Sequence, residues 1–454
     1  MIEITKISDI YNNKEELSKL EKIKVGGWVK SIRQSKNISF ITLNDGSCLQ
    51  SLQIICSSHL AEKTKNINFS SCLIAEGKLV LTPNRDQKIE LQAQKIEFVN
   101  LTETDYPLQK QAIPLEVVRN FPHLRAKTNY FLAVFKLRSQ VSWAIHQFFQ
   151  QEGFYYIHTP LITANDTEGA GELFKLTTRQ DKQHEKDFFR NQAKLTVSGQ
   201  LQAEALAQGL GKVYTFSPCF RAENSHTTRH LAEFWMVEPE MAFADLNDIL
   251  NLTENLLKHV IKKIIKDNLP ELEYLEKYQQ KELISELKKI SNLNFPRLAY
   301  AECLEILAKN KENFIYNEIK WGMDLQSEHE KYLCHYFGNI PVFVVNYPIE
   351  LKAFYMKNNS DGKTVACFDL LFPCVGEMVG GSMREGSYRL LIEKAKKIAL
   401  DIENLAWYFD LRKYGYASSG GFGLGLERLI MFISGTENIR DTIAFPRFPG
   451  KLEF

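Results

Sequence analysis

The sequence lacks several features that would assign it to a class at once. The net charge of the 454 residues is +1, so no overall field indicates a nucleic-acid partner and such binding must come from local patches. The eight cysteines are scattered without a CxxC pair, which argues against a disulfide or zinc framework and favours free thiols in a reducing cytosol. There is no signal peptide and no apolar run of membrane-spanning length. We therefore expect a cytoplasmic protein with no membrane partner.

Three alternating glycines near the end of the sequence lack the surroundings of a dinucleotide-binding loop. Gly421, Gly423 and Gly425 stand in "GGFGLGLERL", and such a loop would need an α/β domain downstream. Only a short tail to Phe454 follows. We predict instead a strand that runs into a helix. A flat ligand can lie on the glycine-bearing backbone, and Arg428 in the first helical turn can reach back over it.

The chain changes character twice. Short apolar alternations broken by turn residues, from about 24 to 99, predict a β-barrel of the OB type. An extended, Pro-containing segment follows, and from Asn129 apolar residues recur with helical period. We predict an α+β protein: an OB barrel (1–100), a hinge or linker (101–128), and a catalytic body (129–454) on a mostly antiparallel sheet flanked by helices, with a helical insertion near 247–292.

One hairpin carries the residue types of a nucleotide site. Arg221 stands at the predicted end of a strand, where its planar fork can bind a phosphate. Glu223 could accept from an exocyclic amine, and Phe234 on the next strand could stack on a base. The alternative is a hairpin with surface salt bridges. Asp369 and Glu377 flank a further turn and suit Mg²⁺, which prefers oxygen ligands.

These elements together resemble motifs 1, 2 and 3 of class II aminoacyl-tRNA synthetases: an apolar helix and strand ending at Pro160, the "FRAE" hairpin, and the glycine-bearing strand and helix. Phrases such as "LITANDTEGAGELF", "FRAENSHTTRHLAEFWMVEPE" and "GEMVGGSMRE" are similar to the asparaginyl-tRNA synthetases of the aspartyl/asparaginyl/lysyl subgroup. The resemblance extends from about Gly27 to the end. It implies ligation of L-asparagine to tRNA(Asn) with ATP and Mg²⁺. It also implies a homodimer in which motif 1, Phe131 to Pro160, is buried between subunits.

The resemblance also implies a role for each matching residue. Arg221, Arg428 and Glu377 would be catalytic, the two arginines on the ATP phosphates. The barrel would bind the anticodon. The implied sets are Arg221, Glu223, His230, Phe234, Glu377, Gly425 and Arg428 for ATP; Glu168, Ser198, Gln200, Glu238 and Arg384 for the amino acid; Asp369 and Glu377 for Mg²⁺; and Arg33, Phe40 and Gln53 for the anticodon.

A missing lysine favours asparagine over aspartate. Aspartate-specific relatives carry Gln-Leu-x-Lys, whose lysine pairs with the substrate carboxylate, whereas this chain has Ala203 in that place and Glu204 beside it. An unpaired, partly desolvated carboxylate is strongly disfavoured, but a neutral amide suffers little. Ser419, where relatives usually carry His, leaves the detail of the pocket open. The alternatives are an aspartyl-tRNA synthetase, including a non-discriminating one, and a catalytically silent RNA-binding paralogue, against which the three predicted catalytic residues argue.

Overall fold

The computed structural model describes residues 3–35, 37–84, 88–108, 113–165, 173–180 and 183–453. The chain divides into two compact units, Met1–Phe135 and Lys136–Phe454. The domain limits at 100 and 128 and the insertion remain predictions. Within the described ranges, no helix has the length and apolar character needed to cross a membrane.

The first unit contains a closed five-stranded barrel with the strand order β1-β2-β3-β5-β4. Its neighbouring strands are antiparallel except for the parallel pair β3 and β5. This confirms the predicted OB-type barrel. The strands are β1 (Ile23–Gln34), β2 (Ser39–Asn44), β3 (Leu52–Cys56), β4 (Cys72–Leu81) and β5 (Ile89–Asn100), and the helices before the unit boundary are α1 (Ile7–Asn12), α2 (Lys14–Leu17), α3 (Ser58–Ala61) and α4 (Leu115–Val118).

Alternation along the strands builds the barrel core. Ile41 and Leu43 of β2 are fully buried, while Phe40 of the same strand is only partly buried. Successive side chains of a strand point to opposite faces, so the inward set forms one apolar core and the outward set is free for binding. The predicted turn after β2 is present: Gly46 has a φ of +79°, and its N–H donates to Asn44 Oδ1 at 2.9 Å.

The second unit is built on an eight-stranded sheet with the order β12-β13-β14-β15-β16-β11-β10-β6. Only the pairs β12–β13 and β10–β6 are parallel, which confirms the mostly antiparallel sheet. Its strands are β6 (Tyr155–Tyr156), β10 (Lys212–Phe220), β11 (Glu233–Ala242), β12 (Arg297–Ala299), β13 (Val342–Val345), β14 (Cys367–Phe372), β15 (Gly376–Met383) and β16 (Ser419–Gly425), and a small separate sheet holds β7 (Ile162–Thr163), β8 (Lys175–Leu176) and β9 (Ala193–Leu195).

Helices cover this sheet. They are α5 (Asn129–Gln151), which contains the boundary between the units, and α6 (Gln200–Leu210), α7 (Leu246–Asp267), α8 (Leu269–Gln279), α9 (Leu283–Asn292), α10 (Tyr300–Ala308), α11 (Ser327–Tyr336), α12 (Tyr388–Lys397), α13 (Ala406–Asp410) and α14 (Leu426–Ser434). The charged segment 247–292 is therefore helical. Its first helix is not peripheral, because Ile249 of α7 is fully buried and packs against Gly420 of the central strand β16.

Two local predictions were wrong. Residue types along 388–415 predict one continuous helix, but the helix is broken after Lys397, and Ala399 in the break has a φ of +53°. The strand expected to end at Pro160 is only the two residues of β6. Burial of motif 1 between subunits stays a prediction, and Val141 and Ile145 of its apolar stripe are fully buried within the single chain. The helical period alone does not say whether an apolar face meets its own body or a partner.

Glu427 joins three elements of the second unit. Its side chain stands in the first turn of α14 and is almost completely buried. One carboxylate oxygen accepts from the Trp235 N–H of β11 at 3.0 Å, and the other lies 2.7 Å from Arg138 Nη2 of α5. This single carboxylate therefore fixes the start of α14 against the sheet and α5.

We expect Glu427→Ala to lower the free energy of unfolding by about 3 kcal/mol, because it leaves the Arg138 charge without its buried partner. The surface variant Glu437→Ala, which removes an exposed ion pair with Lys281, should cost less than about 1 kcal/mol. Urea unfolding followed by tryptophan fluorescence measures both. Equal losses in the two variants would contradict the anchoring role of Glu427.

Candidate active site

A first cavity lies over the sheet where β10, β11, β15 and β16 meet the start of α14. Arg221 and Glu223 lie just beyond the end of β10 rather than on the strand as predicted, although the Arg221 N–H still donates to Ala232 O at 2.9 Å. All the residues predicted for ATP line this cavity: Arg221, Glu223, His230, Phe234, Glu377, Gly425 and Arg428.

Three guanidinium groups give the first cavity its positive charge. The Arg221 guanidinium carbon lies 5.5 Å from the centre of the Phe234 ring. Arg428 Nη1 donates to the Glu377 carbonyl oxygen and lies 3.9 Å from its carboxylate. Arg229 was not predicted, and its guanidinium donates to Ser327 Oγ at 2.6 Å and Cys374 O at 3.0 Å. Planar guanidinium forks beside an aromatic ring are suited to a polyphosphate attached to a flat base.

The surroundings of His230 favour its neutral form. Burial, with the positive charge of Arg428, lowers the pKa of His230 below its ordinary value. Its Nδ1 lies 3.0 Å from Ser225 Oγ and 2.5 Å from Thr227 Oγ1. If Nδ1 accepts from one of these hydroxyls, the neutral ring carries its proton on Nε2 and can donate one hydrogen bond to an anion in the cavity.

The alternating glycines serve three different purposes. A Cβ on Gly421 would lie 2.1 Å from Pro239 O of β11, so the two backbones require glycine there. A Cβ on Gly423 would meet only the terminal methyl of Met236, at 2.5 Å. A Cβ on Gly425 would meet nothing within 4 Å and would stand in the first cavity. The prediction of a strand entering a helix is confirmed, with β16 ending where α14 begins.

A second cavity joins the first along the sheet. The two share Arg221, Met236, Glu377 and Gly423. The second also contains four of the residues predicted for the amino acid: Ser198, Gln200, Glu238 and Arg384. The fifth, Glu168, lies outside the described residues. Arg221 therefore faces both a cavity with the chemistry of a nucleotide site and a second polar one.

Hydrogen bonds fix one wall of the second cavity. The buried Glu238 carboxylate accepts from Ser198 Oγ and, at 2.9 Å, from the Gly199 N–H. Gln200 is also buried, and its Nε2 has no hydrogen-bond partner among the described residues. A buried amide donor without a partner is costly, so Gln200 suits a bound ligand that supplies an acceptor.

Arg384 and Glu240 form a buried, charge-balanced pair on another wall. The guanidinium donates to both carboxylate oxygens of Glu240 and, at 2.7 Å, to Ser382 Oγ. Burial alone would lower the pKa of Arg384, but the Glu240 carboxylate raises it above its ordinary value. Three of five N–H groups are used, so the guanidinium can still donate to a ligand although its charge is balanced.

The two predicted metal ligands converge beside a glycine. A Cβ on Gly380 would lie 3.1 Å from Glu377 Oε1 and 3.6 Å from Asp369 Oδ1, so the glycine keeps the space between the carboxylates clear. Asp369 is also bound by Lys352 Nζ, at 2.6 and 2.9 Å. No group of three His, Cys, Asp or Glu side chains converges in the described ranges. The pair fits Mg²⁺ that takes its other ligands from phosphate and water.

The position of the missing lysine lies behind the second cavity. Ala203 is fully buried in an apolar cluster with Ile157, Ala207 and Val213 and does not line the cavity. Glu204 is fully buried beside it and is paired with Arg412. The absent cation is therefore only one part of the charge balance around this pocket.

The barrel brings the three predicted anticodon residues to its outward surface. Phe40 pairs in register with Arg33 of β1, and Gln53 of β3 pairs with the neighbouring Thr42 of β2. Phe40 and Gln53 are partly buried and Arg33 is exposed, so Phe40 is not simply a core residue. Gln53 Nε2 donates to Glu90 Oε1 at 3.1 Å. Glu90, which was not predicted, orients this amide.

Comparison with known proteins agrees with both units. Residues 115–449 match the family model of class II tRNA synthetases (D, K and N), and residues 23–99 match that of an OB-fold nucleic-acid-binding domain. The asparagine–tRNA ligase of Mycoplasma mycoides is 50% identical over 96% of this chain and 97% of its own length. That of Bacillus cereus is 45% identical over the whole of both chains. The chain belongs to the class II tRNA synthetase family (D, K and N).

Solved structures agree with this assignment. The asparaginyl-tRNA synthetase of Pyrococcus horikoshii, complexed with asparaginyl-adenylate, has a TM-score of 0.89 and 30% identity over the full length of both chains. That of Entamoeba histolytica, also with asparaginyl-adenylate, has a TM-score of 0.83 and 27% identity over 95% of this chain and 96% of its own. The predicted OB-fold and class II synthetase architecture of the enzyme is thereby confirmed, as is the identification with asparaginyl-tRNA synthetases.

Several site residues of the enzyme were missed from the sequence. Arg229 and Glu240 lie within the quoted "FRAENSHTTRHLAEFWMVEPE", so their charge in a recognised motif was an available signal. Lys352 was missed as well, and so was Glu330. Its Oε2 accepts from the Glu377 N–H at 3.3 Å, and burial, with the charge of Glu377, raises the pKa of Glu330 to about 7. His329 is fully buried, with both ring nitrogens hydrogen-bonded, and so is structural.

Two glycine variants should separate folding from binding. Gly421→Ala should lower the free energy of unfolding by about 1–3 kcal/mol, because β11 and β16 must move apart. Gly425→Ala should change stability by less than about 0.5 kcal/mol and raise the KM for ATP by roughly tenfold. Urea unfolding and ATP-dependent kinetics measure both. An unchanged KM in Gly425→Ala would mean that no ligand lies on this backbone.

Proposed function

We propose that the two joined cavities activate L-asparagine with ATP and that the enzyme then transfers it to tRNA(Asn). The observation that carries this proposal is the position of Arg221, which lines both the cavity with the chemistry of a nucleotide site and the one with the chemistry of an amino-acid site. An arginine at that junction can bind the α-phosphate and the attacking carboxylate together. In the first cavity, Phe234 would stack on adenine, Glu223 would bind its amine, and Arg428 would bind the γ-phosphate.

Alignment and charge stabilisation explain catalysis without a general base. One carboxylate oxygen of asparagine forms a bond to the α-phosphorus, and the bond to the bridging oxygen breaks, so pyrophosphate leaves. Arg221 stabilises the charge that develops on the α-phosphate. A hydroxyl of the tRNA 3′ end then attacks the acyl carbon, the bond from that carbon to the phosphate oxygen breaks, and AMP leaves with its phosphate as the acceptor of the hydroxyl proton.

Glu377 and Asp369 would hold Mg²⁺, which neutralises phosphate charge when bound. Because Lys352 already donates to both carboxylate oxygens of Asp369, binding of the metal would depend more on Glu377. Burial alone would lower the pKa of Lys352, but Asp369 raises it above its ordinary value, so this lysine stays charged and would share Asp369 with a bound metal ion.

The second cavity suits a neutral side chain. Glu238 and Glu168 would bind the substrate ammonium group, with Ser198 nearby. Gln200 would donate its unpartnered N–H groups to an acceptor of the substrate. The remaining Arg384 N–H groups would donate to the amide oxygen. A carboxylate in that place would face Glu240 with no surplus positive charge to compensate it, so aspartate is rejected.

The barrel would bind the anticodon, and two enzyme chains would form a homodimer. Exposed aromatic residues support the second point: Trp143 on α5 is 61% exposed and Tyr155 on the edge strand β6 is 59% exposed. An interface would therefore use these exposed residues and not the buried stripe. All eight cysteines are free thiols, which supports a reducing, cytoplasmic location.

ATP–pyrophosphate exchange tests the activation step. We expect exchange with L-asparagine at least roughly 100-fold more efficient than with L-aspartate, and its loss when EDTA removes Mg²⁺. Arg221→Met should lower the asparagine rate by about 10²–10³-fold, whereas Arg389→Met, at an exposed helix position, should not. Equal exchange with both amino acids would overturn the specificity, and none with either would favour the silent paralogue.

Aminoacylation of tRNA(Asn) tests the barrel. Gln53→Ala should raise the KM for tRNA by roughly tenfold or more through loss of a base contact, since readout of unstacked bases is worth about 1–3 kcal/mol per contact. The exchange reaction, which needs no tRNA, reports whether the catalytic unit is intact. Gln94→Ala, at an exposed position of β5, is the matched control. If both variants behave alike, Gln53 does not read the anticodon.

A further inference from the structure

A buried network lies directly behind the second cavity, centred on Glu204. Its carboxylate accepts from Tyr408 and Tyr416 hydroxyls, each at 2.6 Å, and from Arg412 Nη2. The Arg412 guanidinium lies between the two rings, 4.3 Å from the centre of Tyr408 and 4.4 Å from that of Tyr416. The Glu204 and Arg412 side chains are both completely buried, so this ion pair is shielded from solvent.

Two hydrogen-bonded routes lead from this network to the backbone around Arg384. Arg412 Nε donates to the carbonyl oxygen of Glu385 at 2.9 Å. The Tyr416 hydroxyl lies 2.6 Å from Ser419 Oγ, and Ser419 O accepts from the Arg384 N–H at 2.9 Å. The Arg384 N–H and the carbonyl group of the next residue, Glu385, are thus tied to the Glu204 network.

The same network also fixes the helix that carries Gln200. Glu204 lies one turn after Gln200 on α6, and residues four apart on a helix share a face. Anchoring Glu204 therefore anchors the end of α6 that lines the second cavity. Gln200 on α6 and Arg384 after β15, both of which line that cavity, therefore depend on the Glu204 carboxylate for their positions.

Charge provides the second half of the argument. Two buried acids, Glu204 and Glu240, and two buried arginines, Arg384 and Arg412, are paired behind and within the cavity. Glu204 also acts electrostatically on Arg384. Each of these two ion pairs is charge-balanced, so Arg384 offers hydrogen bonds to a side-chain amide without a surplus positive charge to attract a carboxylate.

We propose that Glu204 is a positioning residue that determines the choice of asparagine over aspartate. It holds Arg384 and Gln200 in place, and it cancels the charge of Arg412 behind the cavity. The inference rests on the proposed activation of asparagine and adds to it a residue that touches no substrate.

Glu204→Gln separates these effects, since it keeps the shape of the side chain and leaves Arg412 uncompensated. We expect the ratio of kcat/KM for asparagine to that for aspartate in pyrophosphate exchange to fall by at least roughly tenfold. In Glu204→Gln/Arg412→Met both charges are absent, so this ratio should return to within about threefold of the parent. The KM for asparagine should be raised in both variants, and the KM for ATP in neither.

Two tyrosine variants test the positioning route. Tyr416→Phe removes the bond to Ser419 and should raise the KM for asparagine by roughly tenfold at an unchanged ratio. Tyr408→Phe also removes one hydrogen bond to Glu204 but has no link to Ser419, so its KM for asparagine should stay within about threefold of the parent.

The controls separate the possible failures. Circular dichroism and thermal unfolding show whether each variant is folded, and the tyrosine pair still decides the question if Glu204→Gln is not. A folded Glu204→Gln with parental ratio and KM would overturn the inference. A parent protein without preference for asparagine would instead overturn the proposed function.

Discussion

The pairing of β11 with β16 is the constraint on which both cavities depend. Gly421 lets the backbone of β16 approach Pro239 so closely that no side chain fits between them. The next residue on β11, Glu240, is thereby placed to bind Arg384. Arg384 follows the end of β15, the neighbour of β16 on its other side. Further along β16, the backbone opens at Gly425 and continues into α14 with Arg428. One strand pairing thus sets the polar pocket and the phosphate-binding cations on one continuous surface.

The two cavities differ in how the charges of their arginines are compensated. In the first cavity the guanidinium groups of Arg221, Arg229 and Arg428 line a space in which a polyphosphate can supply compensating negative charge. In the second, Arg384 is balanced by Glu240 and the buried Arg412 by Glu204. The contrast explains how neighbouring cavities can accept ligands of very different charge. It depends on burial, because solvent would screen the same pairs.

The sequence predicted the parts of the structure that local pattern controls. The alternation of the barrel strands, the "FRAE" hairpin and the strand entering the helix at Gly425 each follow from periodicity or residue type. It did not predict the break at Ala399, since the flanking residues favour helix on both sides. Nor did it predict that the apolar stripe of α5 is buried within the chain, because the helical period does not indicate which surface an apolar face packs against.

For the site, residue types and motifs determined which side chains could bind a nucleotide, an amino acid and a metal ion, since each motif is local in sequence and its chemistry is carried by the residue itself. Only the tertiary structure decided how charge is shared. It pairs Glu240 with Arg384 across 144 residues and Glu204 with Arg412 across 208, and it gives Lys352 to Asp369. Such pairs arise from the packing of distant strands and helices, and no local pattern along the chain encodes them.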